Sequence, residues 1–331
     1  MVENLLVSIL VPIYNVEDYI KNCLCSVFNQ TYSNLEFIFV DDCSTDQSLS
    51  LLNDYIECHG IDRKQITVIH HEKNQGIAFV RKECILNAKG DYVLFVDSDD
   101  WIDTNTVEMC VKSTNFGMID IVGCDYMDEY HNGKSLYHYE NYGNTCYDNL
   151  IRCLNYDISP VLWKLLVRRN LYNNFDIPSN INIGEDYAIS IKLYYYANSF
   201  VALHQAYYHY VHYNMNKLSY QRMRSLVDHI KIVGEVEKFL SAMGMLKNDI
   251  KHQLNLRKFN IKSNFLTLGT LDYSLYKEVF PDVNGLWRCY DYTFFEKTKF
   301  WLAEKNFYNI LSFLQKLKSY KKFFNYSFFV I

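Results

Sequence analysis

No two cysteines of this sequence stand in a C-x-x-C spacing, and the closest pair is Cys23-x-Cys25. Disulfide frameworks and zinc sites need regular or clustered cysteines. The ten cysteines are therefore expected as free thiols, mostly buried, in a reducing compartment. Proline and glycine are scarce, at 4 and 12 of 331 residues. With no repeat and no low-complexity stretch, this argues against flexible linkers between domains. Nowhere do ~20 consecutive apolar residues occur, the length needed to span a bilayer. The first apolar segment is broken by Ser8 and Pro12, and it lacks the basic start and cleavage site of a secretory signal. The expected location is the cytoplasm, with the inner face of the cell membrane open as a docking place. An excess of basic residues is also missing: the net charge is -5. That argues against broad electrostatic binding to nucleic acid.

Hydrophobic residues make up 49% of the chain, enough for one large domain or two modest ones. Tyrosine and phenylalanine are abundant, at 29 and 21. Most of these rings belong to core and surface, although aromatic faces also suit the C–H faces of sugars. Strand and helix signals alternate over the first hundred residues. Apolar runs at Leu6–Val11, Leu35–Val40, Ile66–His70 and Tyr92–Val96 read as strands, and helical spacing falls over 17–28, 47–57 and 76–88. Helical patterns continue at 104–113, 148–154 and 186–197, with strands at 119–124 and 200–203. Beyond about residue 215 the chain reads as helical. The fold class expected is α/β: a Rossmann-like, mostly parallel sheet flanked by helices, with a helical carboxyl-terminal region. Domain 1–215 divides into a nucleotide-binding half, 1–100, and an acceptor and catalytic half, 101–215; the helical region is 216–331.

In such sheets ligands bind beyond the carboxyl ends of the strands. Polar residues cluster there: Tyr14-Asn15, Asp41-Asp42 and Asp97 to Asp100. Asp97 and Asp99, two apart at a strand end, can turn both carboxylates toward one point. Mg²⁺ or Mn²⁺ favours such oxygen ligands, completed by phosphate and water. The plainer reading is a polar turn rich in aspartate; the register with two other polar strand ends favours a site. A carboxylate at Asp41-Asp42 can accept from a base N–H or ribose hydroxyls, or can simply cap a helix. Tyr14 offers a flat face to a nucleobase. Glu185-Asp186 follows Gly184 at a helix start, where the dipole favours acids and where a general base could stand. His70 and His71, adjacent in a strand, point to opposite faces and are not expected to share an ion. The pair His209 and His212 also reads as structural, with His212 keeping a possible touch on diphosphate or metal.

Four segments together resemble a known family. They are Val7-Ser8-Ile9-Leu10-Val11-Pro12-Ile13-Tyr14-Asn15, Val40-Asp41-Asp42-Cys43-Ser44-Thr45-Asp46, Asn74-x-Gly76-x-Ala78-x-x-Arg81, and Ala88-x-Gly90-Asp91-Tyr92-x-x-Phe95-Val96-Asp97-Ser98-Asp99-Asp100-Trp101. In order and spacing they resemble the family 2 glycosyltransferases of bacterial surface polysaccharide synthesis, which have the GT-A fold. The resemblance covers roughly residues 5 to 215. It implies an inverting transfer of a sugar from a nucleotide diphosphate donor, most simply a uridine diphosphate sugar, to an acceptor hydroxyl. Capsule, exopolysaccharide and lipopolysaccharide are the settings implied, and a saccharide or lipid-linked saccharide is the acceptor class. By motif, Pro12, Tyr14, Asn15, Glu17, Asp41 and Asp42 line the nucleoside pocket, with Asn74, Gly76 and Arg81 at its rim. Asp97 meets ribose or metal, and Asp99 holds Mn²⁺ or Mg²⁺ on the diphosphate. Asp186 is the general base beside Glu185, and Trp163 of Val161-Leu162-Trp163-Lys164-Leu165 bounds the acceptor pocket. Family members often carry an arginine after the Tyr-rich run, where this chain has Val211-His212; His212 stands as a third metal candidate.

Residues 305 to 331 hold five lysines, no acid and nine aromatics. Basic and aromatic residues together suit an anionic membrane surface, against the plainer reading of a helix packed on the body. Two rival functions stand beside the transferase. A nucleotidyltransferase would show a Gly-rich basic loop where Pro12-Ile13-Tyr14-Asn15 stands. A non-catalytic nucleotide-sugar scaffold would have lost the metal-holding or base acids, which are present.

Overall fold

β1 (Val7–Ile13) is buried at every position, and β2 (Leu35–Asp41) nearly so. Such continuous apolar strands belong in the middle of a sheet covered on both faces. In the computed structural model they lie there. The structure describes residues 5–178, 181, 183–214, 222–266 and 275–314. β3 (Ile66–His70) and β4 (Tyr92–Phe95) complete a parallel set in the order β3-β2-β1-β4. The connections are α1 (Ile20–Phe28), α2 (Ser48–Cys58) and α3 (Ile77–Asn87). Because β2 lies on one side of β1 and β4 on the other, the chain reverses its direction of travel at β1. The crevice at such a switch is where an open sheet binds ligands. Pro12 is buried within β1, paired there with Val40 of β2, while β4 pairs only with Val7 to Leu10. The missing N–H therefore breaks no ladder bond to β4.

Past β4 the sheet turns mixed. β5 (Trp101–Ile102) and α4 (Thr106–Ser113) lead to β6 (Ile121–Glu129), β7 (Ser135–His138), α5 (Cys146–Leu154) and β8 (Leu165–Arg168). β8 runs antiparallel to both β4 and β6, and β9 (Phe200–Val211) runs parallel to β6 and antiparallel to β5. The parallel character expected from the sequence thus holds for the first four strands and for the β6–β9 pair, while β8 and β5 run antiparallel to their neighbours. The sequence reading placed no strand at β5, β7 or β8 and ended β9 at Leu203. Short apolar runs such as Leu165–Arg168 carry no period of their own. In β9 the exposed His204-Gln205 mask a strand that continues to Val211.

α6 (Glu185–Tyr196) is buried on almost every side, as expected of a helix without a polar face. Gly184 caps it at φ +91°, a conformation other residues adopt only with strain. The Tyr187 hydroxyl donates to Leu154 O at 2.9 Å, tying α6 to α5. All ten cysteines are free.

The chain divides into two compact units, 1–236 and 237–331. The division falls inside α7 (Arg222–Ala242), later than the boundary read near 215. Ile232 of α7 is fully buried, and a Cβ on Gly184 would lie 3.4 Å from it, so this stretch of α7 belongs to the first unit. In the second unit lie α8 (Asn248–Ser263), α9 (Leu275–Glu278), α10 (Phe294–Glu304) and a helical segment over 308–314. No helix among the described residues is long and apolar enough to cross a membrane. The basic aromatic tail read over 305–331 lies outside the described residues from 315 onward.

Candidate active site

Two loops at the carboxyl ends of β1 and β2 lace together through side chains. Asn15, at φ +50°, accepts from Thr45 N at 2.8 Å, and its own N–H donates to Ser44 Oγ at 3.0 Å. Glu17 N donates to Asp46 Oδ2, and Gln47 N donates to Glu17 Oε2, both at 2.9 Å. Asn15 and Glu17 thus hold the loop of Tyr14 in place. Tyr14 is left 48% exposed, with its ring open at the strand end.

The acids at the end of β2 are buried and pre-set. Asp41 Oδ2 accepts from Ser44 N at 3.1 Å and faces His70 Nδ1 at 2.7 Å. Its other oxygen, Oδ1, is buried without a hydrogen-bond partner. An unpartnered buried acceptor is costly, and such an atom in a crevice marks a place for a donor group. Asp42 Oδ1 faces His71 Nδ1 at 2.8 Å and accepts from Gln75 N at 2.7 Å, while Oδ2 accepts from Gly76 N at 2.8 Å. The Asn74 amide donates to Asp42 O at 3.3 Å. Asn74 and Gly76 therefore act on Asp42. Gly76 sits at φ +91°, which lets its N–H turn inward to the carboxylate. Burial alone would lower the His71 pKa, but hydrogen bonds to Asp42 and Glu83 and the charges of both acids outweigh it and raise it.

The centre of the site is Arg81, only 4% exposed in its side chain. Its Nε donates to Glu185 Oε1 at 3.1 Å and a terminal nitrogen donates to Asp97 Oδ1 at 3.1 Å. Asp186 Oδ1 lies 3.1 Å from the same Nε, off hydrogen-bond alignment. Phe95 lies under the guanidinium, 5.0 Å from ring centre to Cζ. The sequence reading set Arg81 at a nucleoside rim. In the structure it is buried and joins the turn after β4 to the start of α6. Burial drives the Asp186 pKa well up; the Arg81 charge opposes this, and the neighbouring Glu185 and Asp97 add to it.

Asp97 keeps 26% of its side chain exposed and Asp99 is partly exposed. The Asn214 amide donates to Asp99 Oδ2 at 2.8 Å. Asp100 is buried and braces the turn, with Oδ2 accepting from the Tyr208 hydroxyl and Oδ1 from Val211 N, both at 2.8 Å. That hydroxyl also accepts from Asp97 N at 3.1 Å. No group of three or more His, Cys, Asp or Glu side chains among the described residues is arranged to hold a metal by itself. Asp97, Asp99 and His212 thus form no closed cage. Two carboxylates at a solvent-reachable strand end do fit a hard cation whose remaining ligands are phosphate and water. His212 Nε2 lies 2.7 Å from Asp128 Oδ1, because β9 carries on beside β6 and sets His212 against that strand. Trp163 is buried, stacked on Tyr208 with ring centres 4.2 Å apart and edge-on to Tyr126. It supports the ring that braces Asp97 and Asp100.

Residues 8–184 match the family described as Glycosyl transferase family 2. The chain belongs to this family. The family 2 chain is 32% identical to EpsH of Bacillus subtilis over 212 residues, which make up 62% of the chain and 60% of EpsH. Its fold resembles that of S. aureus TarS 1-349 in complex with UDP, with a TM-score of 0.58, 24% identity, and coverage of 82% of this chain and 75% of that one. It also resembles the mannosyltransferase PcManGT from Pyrobaculum calidifontis in complex with GDP-Man and Mn²⁺, with a TM-score of 0.52, 16% identity, and coverage of 94% and 86%. The fold is GT-A. Sequence reasoning named Asp41, Asp42, Asp97 and Asp99 but not His70, His71, Tyr208 and Asn214 as the groups that meet them. Only the adjacency of His70 and His71 after a strand signalled any of them: opposite faces let each reach a different aspartate.

Proposed function

We propose that this chain is an inverting glycosyltransferase, moving a sugar from a nucleoside diphosphate donor, in first place a uridine diphosphate sugar, to an acceptor hydroxyl in bacterial surface polysaccharide synthesis. The observation that carries the reading is the gathering of Asp97, Glu185 and Asp186 on one buried guanidinium at the switch point of the sheet. The family supports sugar transfer, and the UDP held by TarS supports the nucleotide.

Asp41 Oδ1 accepts a donor hydrogen of the base or ribose, and the open face of Tyr14 stacks on the base. The half up to residue 100 holds the nucleotide, and residues 101–215 supply the acceptor side. Asp97 and Asp99 would hold Mn²⁺ or Mg²⁺. A cation there supplies neutralisation of the charge that gathers on the departing diphosphate. The Mn²⁺ in PcManGT supports this assignment. Asp186 takes the proton of the acceptor hydroxyl as that oxygen attacks the anomeric carbon, while Glu185 and Arg81 fix its position. One displacement inverts the anomeric configuration.

Asp186→Asn should abolish transfer, by roughly a hundredfold or more, while donor titration stays unchanged. Asp99→Ala should abolish transfer as well, and EDTA should do the same to the unmodified enzyme. An Asp186→Asn enzyme that still transfers removes the base assignment. Full activity in EDTA removes the metal.

A further inference from the structure

Asp41 has little freedom outside its side chain. Its backbone pairs with Ile13 of β1 on one side and with His70 of β3 on the other, and its carbonyl accepts from His71 N at 2.9 Å. The torsion that remains, about Cβ–Cγ, is broad in aspartate, so the plane of the carboxyl group is set by its partners. Two donors reach Oδ2 from different elements: Ser44 N in the loop after β2, and the His70 ring on β3. One donor alone lets the plane swing about it. Two donors from different directions fix the plane, and with it the direction of Oδ1, the buried oxygen without a hydrogen-bond partner.

The two histidines after β2's acids do different work. His71 is buried, and its ring is shared between Asp42 and Glu83. His70 leaves 49% of its side chain exposed, while that of Asp41 is fully buried. Among the described residues the His70 ring has no hydrogen-bond partner other than Asp41 Oδ2. Because a carboxylate offers lone pairs only, the nitrogen 2.7 Å from it carries the hydrogen and donates. A half-exposed ring with one polar partner adds little to the packing of a core. What it supplies is a donor at one point, on the carboxylate whose other oxygen is open.

We infer that His70 is a positioning residue of the nucleotide pocket: it holds the Asp41 carboxylate so that Oδ1 is aimed at a donor group of the bound nucleotide. The inference rests on the nucleotide pocket proposed above. The test is calorimetric titration of the full chain with UDP, for wild type, His70→Ala and His70→Asn, and for His70→Ala made in an Asp41→Ala background. His70→Ala should weaken UDP binding about fivefold. His70→Asn, whose amide carries a donor on the same short stem, should stay within about twofold of wild type. In the Asp41→Ala background, His70→Ala should change binding by less than about twofold, because a residue that acts through Asp41 has nothing left to act on. The cycle is its own fold check: a general loosening of the fold weakens binding in both backgrounds. Equal losses in the two backgrounds therefore overturn the inference, and so does His70→Ala protein that binds UDP like wild type. Failure of His70→Asn to restore binding overturns it as well. Wild type that binds no UDP removes the nucleotide pocket and this inference with it, and is seen before any variant is compared.

Discussion

Two groups of carboxylates stand in this site, and they are held in different ways. Asp41 and Asp42 rest on a ring of weak partners: two histidines, the N–H groups of Ser44, Gln75 and Gly76, and the loop laced by Asn15 and Glu17. Asp97, Glu185 and Asp186 rest on one arginine. The first arrangement is redundant, and it includes His71, whose pKa its acid partners raise. The second has one permanent cation and no substitute. Redundancy suits the nucleotide pocket proposed for Asp41 and Asp42, which must be rigid before its ligand arrives. A single hub suits the proposed catalytic place, where the balance of charge would change as diphosphate departs and a proton moves.

The largest effect should come from removing the hub. Arg81→Met leaves three carboxylates together with two of them deeply buried, and should cost about 3–5 kcal/mol of stability, read by urea denaturation, along with transfer activity. A loss below about 1 kcal/mol would erase the contrast between the two groups. Removing one member of the redundant ring should cost less. Asp41→Ala takes away an acceptor on which a donor group is proposed to rest, and should weaken nucleotide binding by about tenfold, near 1.4 kcal/mol, read by calorimetric titration with UDP. Binding that stays at the wild-type value would remove Asp41 from the pocket.

His71 sharpens the comparison through pH. Its pKa is raised in the folded protein, above the unfolded value of about 6.5. A raised folded pKa gives stability that is fully present below the unfolded pKa and is lost as pH rises through the folded value. The stability gap between wild type and His71→Asn should therefore be wider near pH 5.5 than near pH 8.5. A gap that is flat or widens with pH would show that the ring does not titrate. The smallest effect belongs to Asn214→Ala, which takes one amide from Asp99 and should cost about 1 kcal/mol by thermal denaturation.

Much of this was legible in the order of residues. Strand ends could be placed because the apolar runs stop abruptly at Tyr14, Asp41 and Asp97, and a parallel strand set puts those ends on one edge. The spacing of Gly76 from Arg81 and the pair Glu185-Asp186 were visible as motifs. Strands such as β8 were not, since four apolar residues carry no period that separates strand from helix. The role of Asp100 was also hidden: an aspartate in a turn looks alike whether it reaches solvent or braces Tyr208 and Val211 more than a hundred positions away.

The sequence by itself determined which residues end the strands and which acids stand there, because period and turn chemistry act over a few neighbouring positions. Only the tertiary structure decided who neutralises those acids. Arg81 meets Asp97 from 16 positions away and Glu185 from 104, and contacts that distant exist only once the sheet and α6 have packed. The same holds for α10. Its composition was open to inspection, but the outward turn of Phe294 and Trp301 follows from Phe300, Leu302 and Ala303 taking the buried side.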